Sequence, residues 1–313
     1  MQPRTEDYEY SLDEALATVV AIRTQVPEDA FTAGTLGTER LGNGVLIRPD
    51  GLILTIGYLV TEAETIWITL HDGRTLPGHL LGYDQETGFG LVQALARAEF
   101  PALSLGRSKA CRVGDRVVIG GAGGRKGAVA AGIVAKQEFA GYWEYVLDEA
   151  LFTAPSHPHW GGTALIGAKG ELLGIGSLQL QHAGDGGRAE NINMIVPIDL
   201  LAPIMSDLER LGRVDKPPRP WLGLYAAEAR GKVVVAGLAA KGPAQKADLR
   251  TGDVIQLLAG REVRTLSEFF RGIWQLGQAG VAVPLIVERK GAIVEMRIKS
   301  ADRAALMKRP ILH

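Results

Sequence analysis

Gly42-Asn43-Gly44-Val45-Leu46-Ile47-Arg48-Pro49-Asp50-Gly51-Leu52-Ile53-Leu54-Thr55 is two apolar runs of strand length on either side of a Pro-Asp-Gly turn. Apolar runs this short, rich in β-branched residues and bounded by turn formers, read as paired strands. The same pattern repeats outward. Thr65-Ile66-Trp67-Ile68-Thr69-Leu70 and Val117-Val118-Ile119 are further strand-sized runs, and Asp72-Gly73 and Lys169-Gly170 mark further turns. Short strands with regular turns spell a β-barrel or sandwich, not alternating βαβ units. The 40 Gly and 15 Pro among 313 residues agree with so heavily punctuated a chain.

Helical spacing appears in few places. Ser11-Leu12-Asp13-Glu14 fits a capping box, with Ala15, Val19 and Ile22 continuing one apolar face. Leu200, Leu201, Ile204, Leu208 and Leu211 predict a helix over 198–211. Pro217-Pro218-Arg219-Pro220 then stiffens the chain into an extended connector. The expected division is a first domain over 1–212, a linker over 213–220, a second domain over 221–301 and a tail over 302–313. In the second domain Pro243 opens a short helix and Thr265-Leu266-Ser267-Glu268 fits a second capping box. Strands are expected over 281–287 and 293–298, joined by the turn at Lys290-Gly291.

With 34 Lys+Arg against 35 Asp+Glu the chain has no charge surplus for binding nucleic acid. One cysteine, Cys111, excludes a disulfide framework and is expected to be a small buried residue. No apolar run reaches the ~18–20 residues of a membrane span. Residues 1–7 are polar and no signal-peptide core follows, which predicts a cytoplasmic protein, or a periplasmic one if a leader precedes this sequence. Gly120-Gly121-Ala122-Gly123-Gly124-Arg125-Lys126-Gly127 has neither phosphate-loop nor dinucleotide spacing and reads as a flexible loop between strands. His157-x-His159 without a carboxylate or thiol partner reads as loop histidines, so no metal and no cofactor are expected.

Taken together these segments resemble the HtrA family, trypsin-like serine proteases that carry a C-terminal PDZ domain. Gly42 to Ile47, Asp50 to Thr55 and Gly82-Tyr83-Asp84-Gln85-Glu86-Thr87 carry the likeness in a first barrel. Arg112 to Val118, Ala131-Gly132-Ile133-Val134, Gly161-Gly162, Lys169 to Ile175 and Ile195-Val196-Pro197-Ile198 carry it in a second. Trp221-Leu222-Gly223-Leu224 and the stretch Gly242 to Ile255 resemble a PDZ domain. The resemblance implies a mainly β fold: a trypsin-like double six-stranded antiparallel β-barrel followed by a PDZ domain. It also implies assembly as a homotrimer through the N-terminal part, with Tyr8 and Tyr10 as candidate contacts.

A protease of this kind needs a Ser nucleophile, a His base and a carboxylate that orients it. By resemblance the His position is Tyr58 in Thr55-Ile56-Gly57-Tyr58-Leu59-Val60, and the Asp position is Gly88 in Asp84 to Gly90. The Ser position is Trp160 in Pro158-His159-Trp160-Gly161-Gly162, and the Gly that would give an oxyanion N–H is Pro158. Tyr is a poor base at neutral pH, Gly has no carboxylate, indole is no nucleophile and Pro has no N–H. The expectation is therefore a pseudoprotease: no enzyme, but a scaffold or regulator in protein quality control. Two alternatives stand beside it, a serine endopeptidase with a relocated centre near Ser156, His157 and His159, and a chaperone-like holdase.

The PDZ parts are more complete. Such domains add a peptide as a strand and receive its C-terminal carboxylate on the amides of a loop. Trp221, Leu222, Gly223 and Leu224 match that loop. Of the pairs Phe269/Ile273 and Phe270/Trp274, the second is expected to face the groove. The expected partners are peptides, including unfolded or C-terminal protein segments. Asp248 stands where a Gly is customary, and Asp visits the left-handed region more readily than most residues.

Overall fold

The computed structural model describes residues 2–183 and 189–308. Residues 309–313 of the expected tail lie outside them. The chain divides into two compact units. One comprises Met1–Gln137, Glu149–Asp215 and Lys308–His313, the other Glu138–Asp148 and Lys216–Met307.

In the first unit, strands β1 (Val19–Gln25), β2 (Glu39–Leu46), β3 (Leu52–Ile56), β4 (Thr65–Thr69), β5 (Thr75–Tyr83) and β6 (Phe89–Ala94) close into a barrel in the order β1-β2-β3-β6-β5-β4. The turn at residues 49–51 joins β2 to β3, which pair antiparallel through Val45↔Leu54 and Leu46↔Ile53. Closure leaves no exposed strand edge and buries Val20, Leu46, Ile53, Leu54, Ile68 and Phe89 completely or nearly so. The second barrel takes β7 (Arg116–Gly120), β8 (Ala128–Gly141), β9 (Tyr145–Ala154), β10 (Ala164–Ile166), β11 (Leu172–Ala183) and β12 (Ala189–Pro197) in the order β10-β11-β12-β9-β8-β7. Val117, Ile119, Leu151, Leu165 and Ile195 fill it, with Cys111 buried at its margin.

Two helix expectations are corrected. Ser11 makes no side-chain cap, and the helix it precedes stops at Ala17, so that Val19 and Ile22 lie in β1. Thr18 ends it by turning its hydroxyl back onto Ala15 O at 2.6 Å, and the β-branched run that follows prefers the sheet. The helix expected over 198–211 is one 3₁₀ turn, Ile198–Leu200, and a separate helix, Met205–Leu211. Pro203 between them has no N–H for the carbonyl four residues back.

The second unit carries β13 (Leu224–Ala229), β14 (Lys232–Leu238), β15 (Val254–Leu258), β16 (Arg261–Glu262), β17 (Ala282–Arg289) and β18 (Ala292–Lys299). They form one sheet in the order β13-β14-β15-β17-β18, with β16 on β15. Helices Pro243–Lys246 and Leu266–Gln275 cover it. The capping box of the longer one is present: Glu268 N donates to Thr265 Oγ1 at 3.2 Å and Thr265 N to Glu268 Oε2 at 3.4 Å. Its residues Phe269, Phe270 and Ile273 are fully buried with Leu222, Val233, Ile255, Val283 and Ile298. Asp248 has φ +62°, and Arg289 holds it together with buried Asp253, whose Oδ2 lies 2.6 Å from Arg289 Nη2.

Candidate functional site

Residues 156–163 form the loop that leads into β10, and buried groups fix it. Asn43 on β2 donates from Nδ2 to His159 O at 2.9 Å and to Gly161 O at 3.0 Å, while its Oδ1 accepts from Ala122 N at 2.9 Å. His157 is buried; its backbone N–H donates to Asn193 Oδ1 at 2.6 Å. Its Nδ1 accepts from His159 N at 3.1 Å, which makes Nε2 the protonated nitrogen, and that nitrogen donates to Gly127 O at 3.0 Å. Burial, with a smaller contribution from the charge of His159, holds His157 below the usual histidine range despite those bonds. The imidazole is a neutral brace for the loop. The glycine-rich stretch expected as a flexible loop joins β7 to β8 and includes the 3₁₀ turn Gly124–Gly127. A cleft of about 420 Å³ opens beside these segments, lined among others by Leu41, Asn43, Lys126, Pro158 and His159.

Tyr58 lies in the one-turn helix Gly57–Val60 after β3. Its hydroxyl donates to Ser177 O at 2.8 Å. Burial pushes its pKa well up, with a hydrogen bond from Trp160 pulling it back only in part. Gly88 has φ +86°, and its carbonyl accepts from Gly57 N at 2.6 Å. Trp160 is half-buried in a turn, its carbonyl accepting from both the amide and the hydroxyl of Thr163. The structure thus brings Tyr58 and Trp160 together. Pro158 stands exposed two residues before. Ser156 Oγ lies 3.3 Å from Gln179 Nε2, and the ring of His159 lies 6.2 Å from that of His157.

In the second unit, Gly223 has φ +75°, and a Cβ there would come within 2.8 Å of the Trp221 ring. Glycine lets the amides of Leu222, Gly223 and Leu224 converge on one point. They converge on Glu144: Oε1 accepts from Gly223 N at 2.7 Å and from Leu222 N and Leu224 N at 3.2 Å, and Oε2 from Leu222 N at 3.1 Å. Burial pushes this carboxyl up to about 7, although the three amides and Arg303 oppose it. One residue-pair further along, Ala226 N on β13 donates to Tyr142 O at 2.9 Å. Phe270 is fully buried in the core and Trp274 partly so; Trp274 stacks on Phe270 and carries the Arg219 guanidinium 4.4 Å from its ring centre.

Glu144 escaped the sequence reading. Gly141-Tyr142-Trp143-Glu144 reads in sequence only as a turn with an acid among aromatics, and nothing local shows which distant amides that acid will reach. The role of Asn43 was also missed, because nothing in a sequence shows which distant loop an Asn in a strand will hold.

Residues 42–175 match the family described as trypsin-like peptidase domain, and residues 220–299 match the PDZ domain. A probable periplasmic serine endoprotease DegP-like of Hahella chejuensis is 30% identical over 248 residues, 75% of this chain and 51% of that protein. Its counterpart in Chlamydia pneumoniae is 28% identical over 275 residues, 82% of this chain and 54% of the other. The serine endoprotease DegS of Escherichia coli is 27% identical over 268 residues, covering 81% and 74%. The chain spans about half the length of the DegP-like relatives it matches. Among solved structures, the HtrA-type protease AlgW with decapeptide aligns over 96% of this chain and 98% of its own at TM-score 0.54 and 22% identity. A serine endoprotease from Yersinia pestis aligns over 94% and 98% at TM-score 0.52 and 22% identity. These two likenesses are of fold.

The comparisons correct one expectation and leave half of another without support. The chain was expected to be no enzyme, whereas its relatives are named serine endoproteases. A cytoplasmic place finds no support either, since the DegP-like relatives are named periplasmic; no helix among the described residues is long and apolar enough to cross a membrane. The chain thus carries a trypsin-like peptidase domain followed by a PDZ domain, the pairing that the resemblance to the HtrA family implied.

Proposed function

We propose that this chain is a periplasmic serine endopeptidase of HtrA type that captures polypeptides by their C-terminal carboxylates on Leu222, Gly223 and Leu224. The observation that carries the capture is the amide cradle itself: three converging N–H groups already hold a carboxylate. Charge-assisted bonds of this kind are about twice as strong as neutral ones, and a peptide C-terminus presents the same group. The endopeptidase class rests on the names of the relatives.

The hydrolytic centre, in this reading, is displaced from residues 58, 88 and 160. Tyr58 has its proton held on Ser177 O and its pKa raised, Gly88 offers only backbone, and Trp160 has no electron pair for a scissile carbonyl. Ser156 is a half-buried hydroxyl of the same loop, and His159, three residues on, is exposed. The test is incubation of the full chain with fluorescein-labelled unfolded casein and, separately, with a fluorophosphonate. Cleavage that grows with time, with the label mapped to Ser156 and lost in Ser156→Ala, is the expected result. Intact casein and an unlabelled protein would overturn the endopeptidase part.

A further inference from the structure

The cradle's present occupant comes from the chain itself. Glu138–Asp148, the segment around the turn between β8 and β9, packs with the PDZ domain in one compact unit. Its contacts follow the pattern of a bound peptide. A carboxylate sits on the amides of residues 222–224, and a main-chain carbonyl two residues earlier, Tyr142 O, bonds the amide of Ala226 on β13. The Tyr142 ring lies 5.9 Å from Tyr225 on the same strand. Arg271, on the helix Leu266–Gln275 that covers the sheet, pairs with Glu138 and Asp148 at the two ends of the segment. Glu144 itself has φ +61°, in the left-handed region that residues other than glycine rarely adopt.

We propose that Glu138–Asp148 is an internal ligand of the PDZ domain: the side-chain carboxylate of Glu144 occupies the cradle, and a peptide C-terminus binds only by displacing it. This rests on the reading that the cradle takes peptide carboxylates, and it adds how access to that site is governed. A peptide sees only the fraction of molecules whose cradle is open, so its apparent affinity falls by that fraction.

The experiment uses the full chain and its Glu144→Ala variant. The probes are fluorescein-labelled hexapeptides ending in Leu, Val or Phe as free acids, with the matching C-terminal amides as controls. Hydrogen exchange at residues 222–224 is read in parallel. Faster exchange in Glu144→Ala, with free-acid affinity raised about tenfold or more and the amides unchanged, supports the internal ligand. Exchange unchanged by the substitution overturns it, as does equal free-acid affinity in the two proteins. Faster exchange with no free acid bound by either protein instead sinks the carboxylate reading beneath it, and the displacement model with it. Should Glu144→Ala fail to fold, the native chain is assayed at 1 mM of each free acid: accelerated exchange across residues 138–148 supports displacement, and unaltered exchange there overturns it.

Discussion

Asn43 and Gly161 are joined twice: the backbone amide of Asn43 donates to Gly161 O at 2.8 Å and its Nδ2 donates to the same oxygen at 3.0 Å. A β2 residue of the first barrel thereby fixes the loop that leads into the second. Replacing the side chain takes this partner from His159 O and Ala122 N and leaves Gly161 O with the backbone bond alone. Asn43→Ala is expected to cost about 2–4 kcal/mol, read as a lower calorimetric transition, and to expose the loop to proteolysis. A loss under about 0.5 kcal/mol would show that water replaces those bonds.

Gly162 has φ +77°, and a Cβ there would lie 1.8 Å from Asn43 O. Both strain and collision act against any other residue. Gly162→Ala is expected to remove at least about 3 kcal/mol, measured by urea unfolding, whereas Gly73→Ala, which meets nothing within 4 Å but has φ +87°, should cost about 1–2 kcal/mol.

His157 titrates below its ordinary value, chiefly because it is buried. The unfolded chain therefore takes up its proton first as pH falls. Its contribution to stability is full above about pH 6.5 and declines below it, by at most about 1.4 kcal/mol per pH unit. Urea midpoints between pH 8 and pH 5 should show this slope, and His157→Phe, though less stable at pH 8, should lack it.

Glu144 has the opposite sign. Its docked carboxyl is pushed up to about 7, mainly by burial, so docking takes up a proton. The stability of the docked segment is full below about 4.5 and declines as pH rises through 7. Arg303 attracts the charged form, while Glu138 and Asp148 of the segment are paired to Arg271. The hold of Glu144 on the cradle should accordingly weaken between pH 5.5 and pH 7.5: the ratio of free-acid affinities, Glu144→Ala over native chain, should fall by up to about tenfold per unit. Polarisation titrations of both proteins check this, and a ratio that does not change with pH would contradict it.

Asp253 is buried, and its carboxyl is held low because the bonds from Arg289 and the Arg250 amide together outweigh the desolvation that would raise it. Asp253→Asn should cost the second unit about 2–3 kcal/mol, below the full penalty of a buried pair because the Arg289 side chain keeps 17% exposure.

Much of the fold was legible because period and punctuation agree. Pro49-Asp50-Gly51 and Lys290-Gly291 are hairpin turns in the sequence and in the structure, where Lys290 and Gly291 have φ +52° and +84°. Thr265 and Glu268 formed the expected box, but Ser11 and Glu14 did not, since a box pattern is only an option the local chain can decline. Pro203 lies inside the apolar spacing of residues 198–211 and divides it, because a proline interrupts helical hydrogen bonding whatever side chains surround it. The loop at residues 221–224 was expected from its resemblance to a PDZ loop, and there Gly223 turns left-handed beside the Trp221 ring. Its occupant was not expected, because Glu144 reaches residues 222–224 through tertiary packing that no local pattern encodes.

The proposed capture requires the amides of Leu222, Gly223 and Leu224 to receive a peptide's terminal carboxylate. The most direct measurement is the amide resonance of Gly223 in ¹⁵N-labelled full chain at pH 7.5, titrated with the Phe-terminated hexapeptide as free acid and as amide. A saturable shift of Gly223, with Leu222 and Leu224, under the acid alone is the predicted result. Resonances that stay in place under the acid, or move equally under the amide, would contradict it.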